Sequence, residues 1–365
     1  MTSRIRIAGG GLSGLATAVL LARQGAEVEV FDPRVGGGGR FFGGWQVLDN
    51  GLAPTDALIE CKQLGFPSLP PVRPVRHAVL LDAFGGRHEV ASAEPYTYFI
   101  LRGGEGSLDA WLRDEALTAG VVLHEGCDAP ADAEVVATGP RRADGVAREL
   151  VFRSDLPDTV AVLFDPEATP SGYAYLFCHD GRATFGVAQV RRLRSLPEAH
   201  RVAWERFRRE LGEFAVEDRH EGGQRMAFAP PRSLRGSNGR WYVGEAAGVQ
   251  HFLFGLGNRL ALRSAALVAD GVAGRWDRAR FERMLYRPML ASLALRWAYE
   301  RLGRAGFRRF CAFASGRDFR TLLLRLNATS VMRRSAARLV MAAWGEKRQD
   351  TGPLPGAWHR RREAA

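Results

Sequence analysis

The sequence predicts an α/β protein: a nucleotide-binding unit on a parallel sheet, an inserted α+β domain, and a helical region at the end. Three observations carry this. Residues 4–32, "RIRIAGGGLSGLATAVLLARQGAEVEVFD", read as strand, glycine turn, helix and strand. Period-two alternation recurs in "RHAVLLDAFGGRHEVAS", "TVAVLFD", "GYAYLF" and "RATFGVAQV", as in half-buried antiparallel strands. From Phe281 onward the apolar residues take helical spacing and arginine predominates. At 365 residues the chain exceeds one ordinary core and divides into two or three domains.

The first unit is built for a dinucleotide. Arg4 to Ala8 alternates toward a short buried strand, and Gly9, Gly10, Gly11 and Gly14 supply G-x-G-x-x-G. A helix follows to about Gln24, then a strand from Val28 to Phe31 ending at Asp32. Gly9 allows the tight turn, Gly11 lets backbone approach a pyrophosphate, and Gly14 lets the helix pack on the strand. The helix N-terminus, at Leu12 and Ser13, offers unpaired N–H groups to phosphate. Asp32, about 20 residues on, suits a ribose diol. A G-x-G-x-x-G alone is common; its strand–turn–helix–strand setting with the terminal acid makes this a dinucleotide site. It does not separate FAD from NAD.

Three further segments favour FAD. "PRVGGGGR" (Pro33 to Arg40) places Pro33 and Arg34, then Gly38, Gly39 and Arg40, where a second backbone segment would meet the pyrophosphate. "AEVVATGP" ends a strand in a small-residue turn at Thr138 and Gly139. "RWYVGEAAGVQHFLFGLGNRLALRSAALVADGV" gives a strand, an acid, a loop with Gly255, and a helix starting near Gly257 and Asn258. Glu245 is set to bond ribityl hydroxyls, and the amides of that helix to face the electron-rich edge of the flavin.

In this order the segments resemble the FAD-dependent superfamily that includes p-hydroxybenzoate hydroxylase and geranylgeranyl reductase, over residues 4–275. The resemblance implies a Rossmann-like FAD-binding domain with flavin contacts at Gly9, Gly11, Gly14, Asp32 and Gly244-Glu245-Ala246-Ala247-Gly248, Glu245 replacing the usual aspartate. Arg102, at the end of "YTYFILR", takes the place of the family's flavin-side arginine; read without the family it is a turn arginine. "GYAYLFCHDGRATFGVA" is similar to the segment lining the substrate cavity of geranylgeranyl reductases. Tyr173, Phe177 and Gly186 match, while Tyr175 replaces tryptophan, Cys178 proline and Ala188 the last glycine. The cysteine that some of these reductases carry has no counterpart in "GGGGRFFGGWQ". Flavin halogenases differ by a tryptophan-rich motif and a lysine near the flavin. Here the lysines are only Lys62 and Lys347, neither in such a context.

The flavin domain is expected at 1–70, 100–150 and 236–280, the substrate domain at 71–99 and 151–235, and a basic helical region at 281–365. Within the substrate domain a hairpin turns at Phe84 to Arg87 and another at His179-Asp180-Gly181. "SLPEAHRVAWERFRRELGEF" predicts an amphipathic helix with Ala199, Val202, Phe207 and Leu211 on one face. The last region reads as helical, through "RMLYRPMLASLALRWAYERLGR" and "DFRTLLLRLNATSVMRRSAARLVMAAWG", with a Pro/Gly-broken end. Of the net charge of +11, residues 281–365 contribute +12 (18 Lys and Arg, 6 Asp and Glu), which leaves −1 for the rest. Two readings stand: a helical domain with a solvated basic face, or peripheral contact with a membrane surface. No readable motif accompanies the charge, so nucleic acid is not expected. No run is apolar enough to span a membrane, and the early first strand leaves no room for a secretory signal. The four cysteines are widely spaced, without metal-ligand spacing; reduced thiols, a cytoplasmic setting and no metal follow.

With one dinucleotide motif and no redox cysteine pair, NAD(P)H is expected only as a transient reductant. The substrate is expected to be an apolar or aromatic small molecule. Catalytic candidates are His251, Tyr173 and Tyr175, any of which can deliver a proton. Phe177, Cys178 and Phe252 are the substrate-side candidates. The first expectation is an FAD-dependent oxidoreductase reducing a carbon–carbon double bond. A flavin monooxygenase is the alternative, through Asp144 and Gly145 in "RRADGVARELV", which resemble the hydroxylases' Asp-Gly segment. A non-redox flavoprotein, as in lycopene-cyclase-like enzymes, or a membrane-docked partner protein is the third.

Overall fold

The computed structural model describes residues 4–36, 41–140, 143–190, 192–228, 230–330, 335–337 and 339–340. The chain starts with β1 (Ile5–Ala8), α1 (Leu12–Arg23) and β2 (Val28–Asp32). β3 (Gly44–Asp49) and α2 (Ala57–Gln63) follow, then β4 (Arg73–Val75), β5 (His77–Asp82), β6 (Arg87–Ala91) and β7 (Thr97–Arg102). α3 (Leu108–Thr118), β8 (Val122–Glu125) and β9 (Val135–Val136) lead to β10 (Gly145–Arg153), β11 (Thr159–Phe164), β12 (Gly172–His179) and β13 (Arg182–Gln189). α4 (Leu196–Leu211), β14 (Glu217–Met226), β15 (Trp241–Tyr242) and α5 (Asn258–Val272) come next. The described chain closes with α6 (Arg278–Phe281), α7 (Arg287–Tyr299), α8 (Gly303–Ser315) and α9 (Phe319–Asn327).

These strands make three sheets. The first is parallel, in the order β15-β9-β1-β2-β8. α1 lies in its cover against α3 and α5 and is buried at every residue from Leu12 to Leu21. An interior helix of this kind needs no polar face. The second sheet runs β14-β10-β13-β12-β11-β5-β6, antiparallel except between β11 and β5. A small third sheet, β3-β7-β4, lies beside it, and the Gly44 position fits closely because a Cβ there would meet Val151 Cγ2 at 2.7 Å.

Strand parity decides what each face of the large sheet does. On β12, Ala174, Leu176 and Cys178 point into the core covered by α4, whereas Tyr173, Tyr175 and Phe177 point to the other side. α4 covers this core with Leu196, Ala199, Ala203 and Phe207; Ala203, not the expected Val202, is the buried residue of that turn. The turn after β12 has φ of +53° at Asp180 and +67° at Gly181, as a tight hairpin requires.

The end of the described chain is helical, as expected, and is divided into α7, α8 and α9. Pro288 has no N–H to give, and the chain passes the preceding turn, Glu282–Tyr286, as a wide π-turn before α7 continues. α9 stops at Asn327, whereas the helical pattern runs to Gly345; much of that stretch lies outside the described residues. Among the described residues no helix is long and apolar enough to cross a membrane, and no cluster of three metal-ligating groups occurs.

Candidate functional site

The glycine turn after β1 has the form its spacing requires. Gly9 takes φ of +106°, and a Cβ there would sit 2.5 Å from Ala137 O. A Cβ on Gly14 would sit 1.9 Å from Gly9 O, so α1 rests directly on the turn. Gly11 differs: a Cβ there would meet nothing within 4 Å, because it faces a cavity of about 360 Å³. Gly9, Gly11, Leu12 and Ser13 line this cavity, with Asp32, Pro33 and Arg34. Thr138 and Gly139 enter after β9, Gly244 and Glu245 after β15, and Gly255, Gly257 and Asn258 before α5. Fifteen of the twenty predicted cofactor residues thus converge on one cleft.

Two of the others do different work. Gly14 packs the turn, and Gly248, at φ +76°, ends the short 3-10 turn Gly244–Ala247; neither lines the cavity. Gly38, Gly39 and Arg40 lie outside the described residues. Asp32 is almost fully buried at the end of β2. Its Oδ2 accepts from Gly10 N at 2.8 Å, and its Oδ1 from Arg34 N at 2.9 Å and Arg34 Nε at 3.2 Å.

Arg102 is no turn arginine. It is 3% exposed, donates to both carboxylate oxygens of Asp109 at 2.7 and 2.8 Å, and lies 4.2 Å from the centroid of the Phe41 ring. It also donates to Asn258 Oδ1, while Asn258 Nδ2 donates to Val47 O at 2.9 Å. The side chain at the start of α5 is therefore fixed from two sides. One turn further, Arg259 and Arg263 are buried and both bond Glu60 of α2, Arg259 Nε at 2.5 Å and Arg263 Nη2 at 2.9 Å. Burial pushes the Glu60 carboxyl up, but Arg263 and Arg259 outweigh it and hold it below its ordinary range.

A second cavity, of about 400 Å³, adjoins the first; Gln46, Val47, Gln224, Gly255 and Leu256 line both. It is walled by Tyr173, Tyr175 and Phe177 from β12, Phe99 from β7, Leu253 and Phe254, and by α7–α9. Tyr173 donates to Phe254 O at 2.5 Å and Tyr175 to Glu149 Oε1, while burial raises both hydroxyls above the ordinary tyrosine value. Both candidates therefore stand in the cavity wall with their hydroxyl protons directed at protein acceptors.

Three expectations fail by position. His251 lines neither cavity: it is 2% exposed, its Nε2 lies 2.9 Å from Asn327 Oδ1, and burial lowers its pKa to about 4. Its backbone N–H donates to Leu256 O at 2.9 Å, while its ring bonds Asn327 of α9. Phe252 is fully buried against Phe228, and its N–H donates to Ser292 Oγ at 3.0 Å. Cys178 has the wrong parity on β12: its thiol bonds Leu156 O on the α4 side, and burial pushes its pKa up to about 11. Asp144 has a structural task, accepting from Phe228 N at 2.8 Å.

Sequence reasoning missed Glu149, Gln46 and Gln224, and the helices that close the apolar cavity. A signal for Glu149 existed, since on β10 it shares the parity of inward-facing Ala147. Lys62 is exposed on α2, away from both cavities.

A family model described as an NAD(P)-binding Rossmann-like domain matches residues 7–50. No curated protein sequence matches the chain. Among solved structures, a geranylgeranyl bacteriochlorophyll reductase-like protein from Thermoplasma acidophilum is similar at TM-score 0.67 and 15% identity, covering 94% of this chain and 98% of its own. p-Nitrophenol 4-monooxygenase from Pseudomonas putida DLL-E4 gives 0.57 at 15% identity, over 91% and 99%. The myxobacterial chondrochloren halogenase, an FAD-dependent halogenase, gives 0.57 at 16%, over 93% and 97%. The chain thus shares the fold of these structures, a Rossmann-like nucleotide-binding domain with further sheets and C-terminal helices, which is the fold its motifs led one to expect.

Proposed function

We propose that the chain is an FAD-dependent oxidoreductase that reduces a carbon–carbon double bond in an apolar or aromatic small molecule, with NAD(P)H as a visiting reductant. One observation carries this reading: a glycine-lined polar cleft and an aromatic cavity share a wall made of Gln46, Val47, Gln224, Gly255 and Leu256. The cleft fits the cofactor. Its glycine turn leaves open space at Gly11 alone, where a pyrophosphate would approach, and Asp32 and Glu245 stand at intervals along it. When bound, FAD supplies the two-electron chemistry. The protein's residues bind and orient: the α1 N-terminus holds phosphate, Asp32 a ribose diol, Glu245 the ribityl hydroxyls, and the α5 amides the polar edge of the ring. The aromatic walls exclude water from the junction.

The similarity to a geranylgeranyl reductase-like structure and the Tyr173–Phe177 wall support reduction over the other readings. The residue that pointed to a monooxygenase, Asp144, lines neither cavity and accepts from Phe228 N at 2.8 Å. Purified protein should be yellow and hold about one FAD per chain, and NADPH or NADH should bleach it without oxygen. Gly11→Val should fill the cleft and yield colourless, folded protein. Colourless wild-type protein that takes up no added FAD would overturn the proposal.

A further inference from the structure

The large sheet carries an arrangement that FAD binding does not use. Tyr175 of β12, Gly186 of β13, Glu149 of β10 and Gly222 of β14 stand in register across four strands. Gly186 leaves room for the tyrosine: a Cβ there would sit 2.3 Å from Tyr175 Cζ. The ring therefore crosses β13, and its hydroxyl donates to Glu149 Oε1. Gln46 Nε2 donates to the same oxygen at 2.8 Å, and Gln224 Nε2 to Oε2 at 2.9 Å. Glu149 is 4% exposed, lines the apolar cavity but not the cleft, and among the described residues has no cation within ion-pair distance.

All three donors are neutral groups, and together they fix both carboxyl oxygens in place. They supply hydrogen bonds but no counter-charge, so the acid stands beside an apolar chamber with its ion-pairing capacity unused. A carboxylate offers about four acceptor positions, so one remains. The rest of the chamber is walled mostly by groups such as Phe99, Tyr173, Phe177 and Leu256, and its second acid, Asp49, already has Arg259 at 3.9 Å, which leaves Glu149 as the wall's acid without a cation among the described residues. What completes the site is a cation on an apolar body.

We propose that Glu149 is the recognition point for a protonated amine, so that the cavity selects a cationic amphiphile whose ammonium group ends against Glu149, beside the wall shared with the cleft. That this ligand is a substrate rests on the oxidoreductase reading; that the cavity prefers it does not.

Calorimetric titration of the full-length protein at pH 7 with 3,3-diphenylpropylamine, 3,3-diphenylpropan-1-ol and 1,1-diphenylpropane tests this. The amine should bind roughly ten- to a hundredfold more tightly than the other two, the span of a hydrogen bond to a charged group. Glu149→Gln should bring the amine to the level of the alcohol and leave the hydrocarbon unchanged. Equal binding of amine and alcohol by the wild type, or a preference surviving in E149Q, would overturn the proposal. If E149Q does not fold, Tyr175→Phe removes one neutral donor and keeps the charge. It should widen the preference, and a narrower or unchanged one counts against the idea. FAD content is measured on the same samples: flavin-free protein that prefers the amine sinks the oxidoreductase reading alone, and flavoprotein without the preference sinks this one alone.

Discussion

His251 shows how one side chain can be read correctly as important and wrongly as catalytic. Its place after Gly248 puts it near the cleft, but its ring is buried and bonded to Asn327, which links this loop segment to α9. Burial, the larger influence, lowers its pKa to about 4, and the bond to Asn327 opposes this only in part. Folding then requires the neutral ring. The stabilisation is complete above the unfolded pKa near 6.5 and is lost as pH falls from there toward 4, by up to roughly 3 kcal/mol. The thermal midpoint should fall over that window, and His251→Gln, which can still meet Asn327, should flatten part of the slope; a slope identical to wild type would count against a buried neutral histidine. Residue roles were legible where chemistry dictates a backbone shape, as at Gly9, Gly11 and Gly14. They were illegible where parity decides: Cys178 follows Phe177 in sequence but faces the opposite side of β12.

At the level of elements, α5 is placed by charge as much as by apolar packing. Eleven consecutive residues, Arg259 to Ala269, are buried, and two of them are arginines. Both reach Glu60 on α2, while Arg259 also bonds Asp49 O at 3.1 Å and Thr55 O at 2.6 Å. This ties the helix whose N-terminus lines the cleft to the far end of β3. Glu60→Gln would leave the two buried guanidiniums with only Asp49, 3.9 Å from Arg259, as a carboxylate neighbour and should cost about 3 kcal/mol in denaturant unfolding. Because the Glu60 carboxyl is held low, its stabilisation is present above about pH 4.5 and disappears as pH drops further. A Glu60→Gln protein as stable as wild type would show that hydrogen bonding alone suffices. The helix itself was legible from its periodicity and from the glycines before it. Its anchor was not, since nothing in "ALIECKQ" and "NRLALRS" shows that residues about 200 apart share one ion cluster.

Across the whole molecule, the region past Phe281 proves to be more than a basic appendage. Leu295, Phe307, Phe310 and Leu323 stand in the wall of the apolar cavity opposite β12, and buried Arg296 bonds Leu253 O at 3.2 Å as well as Ser171 O. Phe310→Asp, at a half-buried wall position, should weaken binding of an apolar probe such as 1,1-diphenylpropane by tenfold or more. FAD content should stay as in wild type, and joint loss of both would show that the cavities are not separable. The first 280 residues could be parsed because their motifs are local; the cavity closure could not, because it depends on how three amphipathic helices dock. The Gly255–Leu256 stretch, meanwhile, belongs to both chambers. Its position sets an order of assembly: a ribosome completes every segment of the cleft by Ala261, roughly sixty residues before Asn327 finishes the neighbouring chamber. The lining of the cleft is thus complete in the chain before the helices that close the neighbouring chamber have been made.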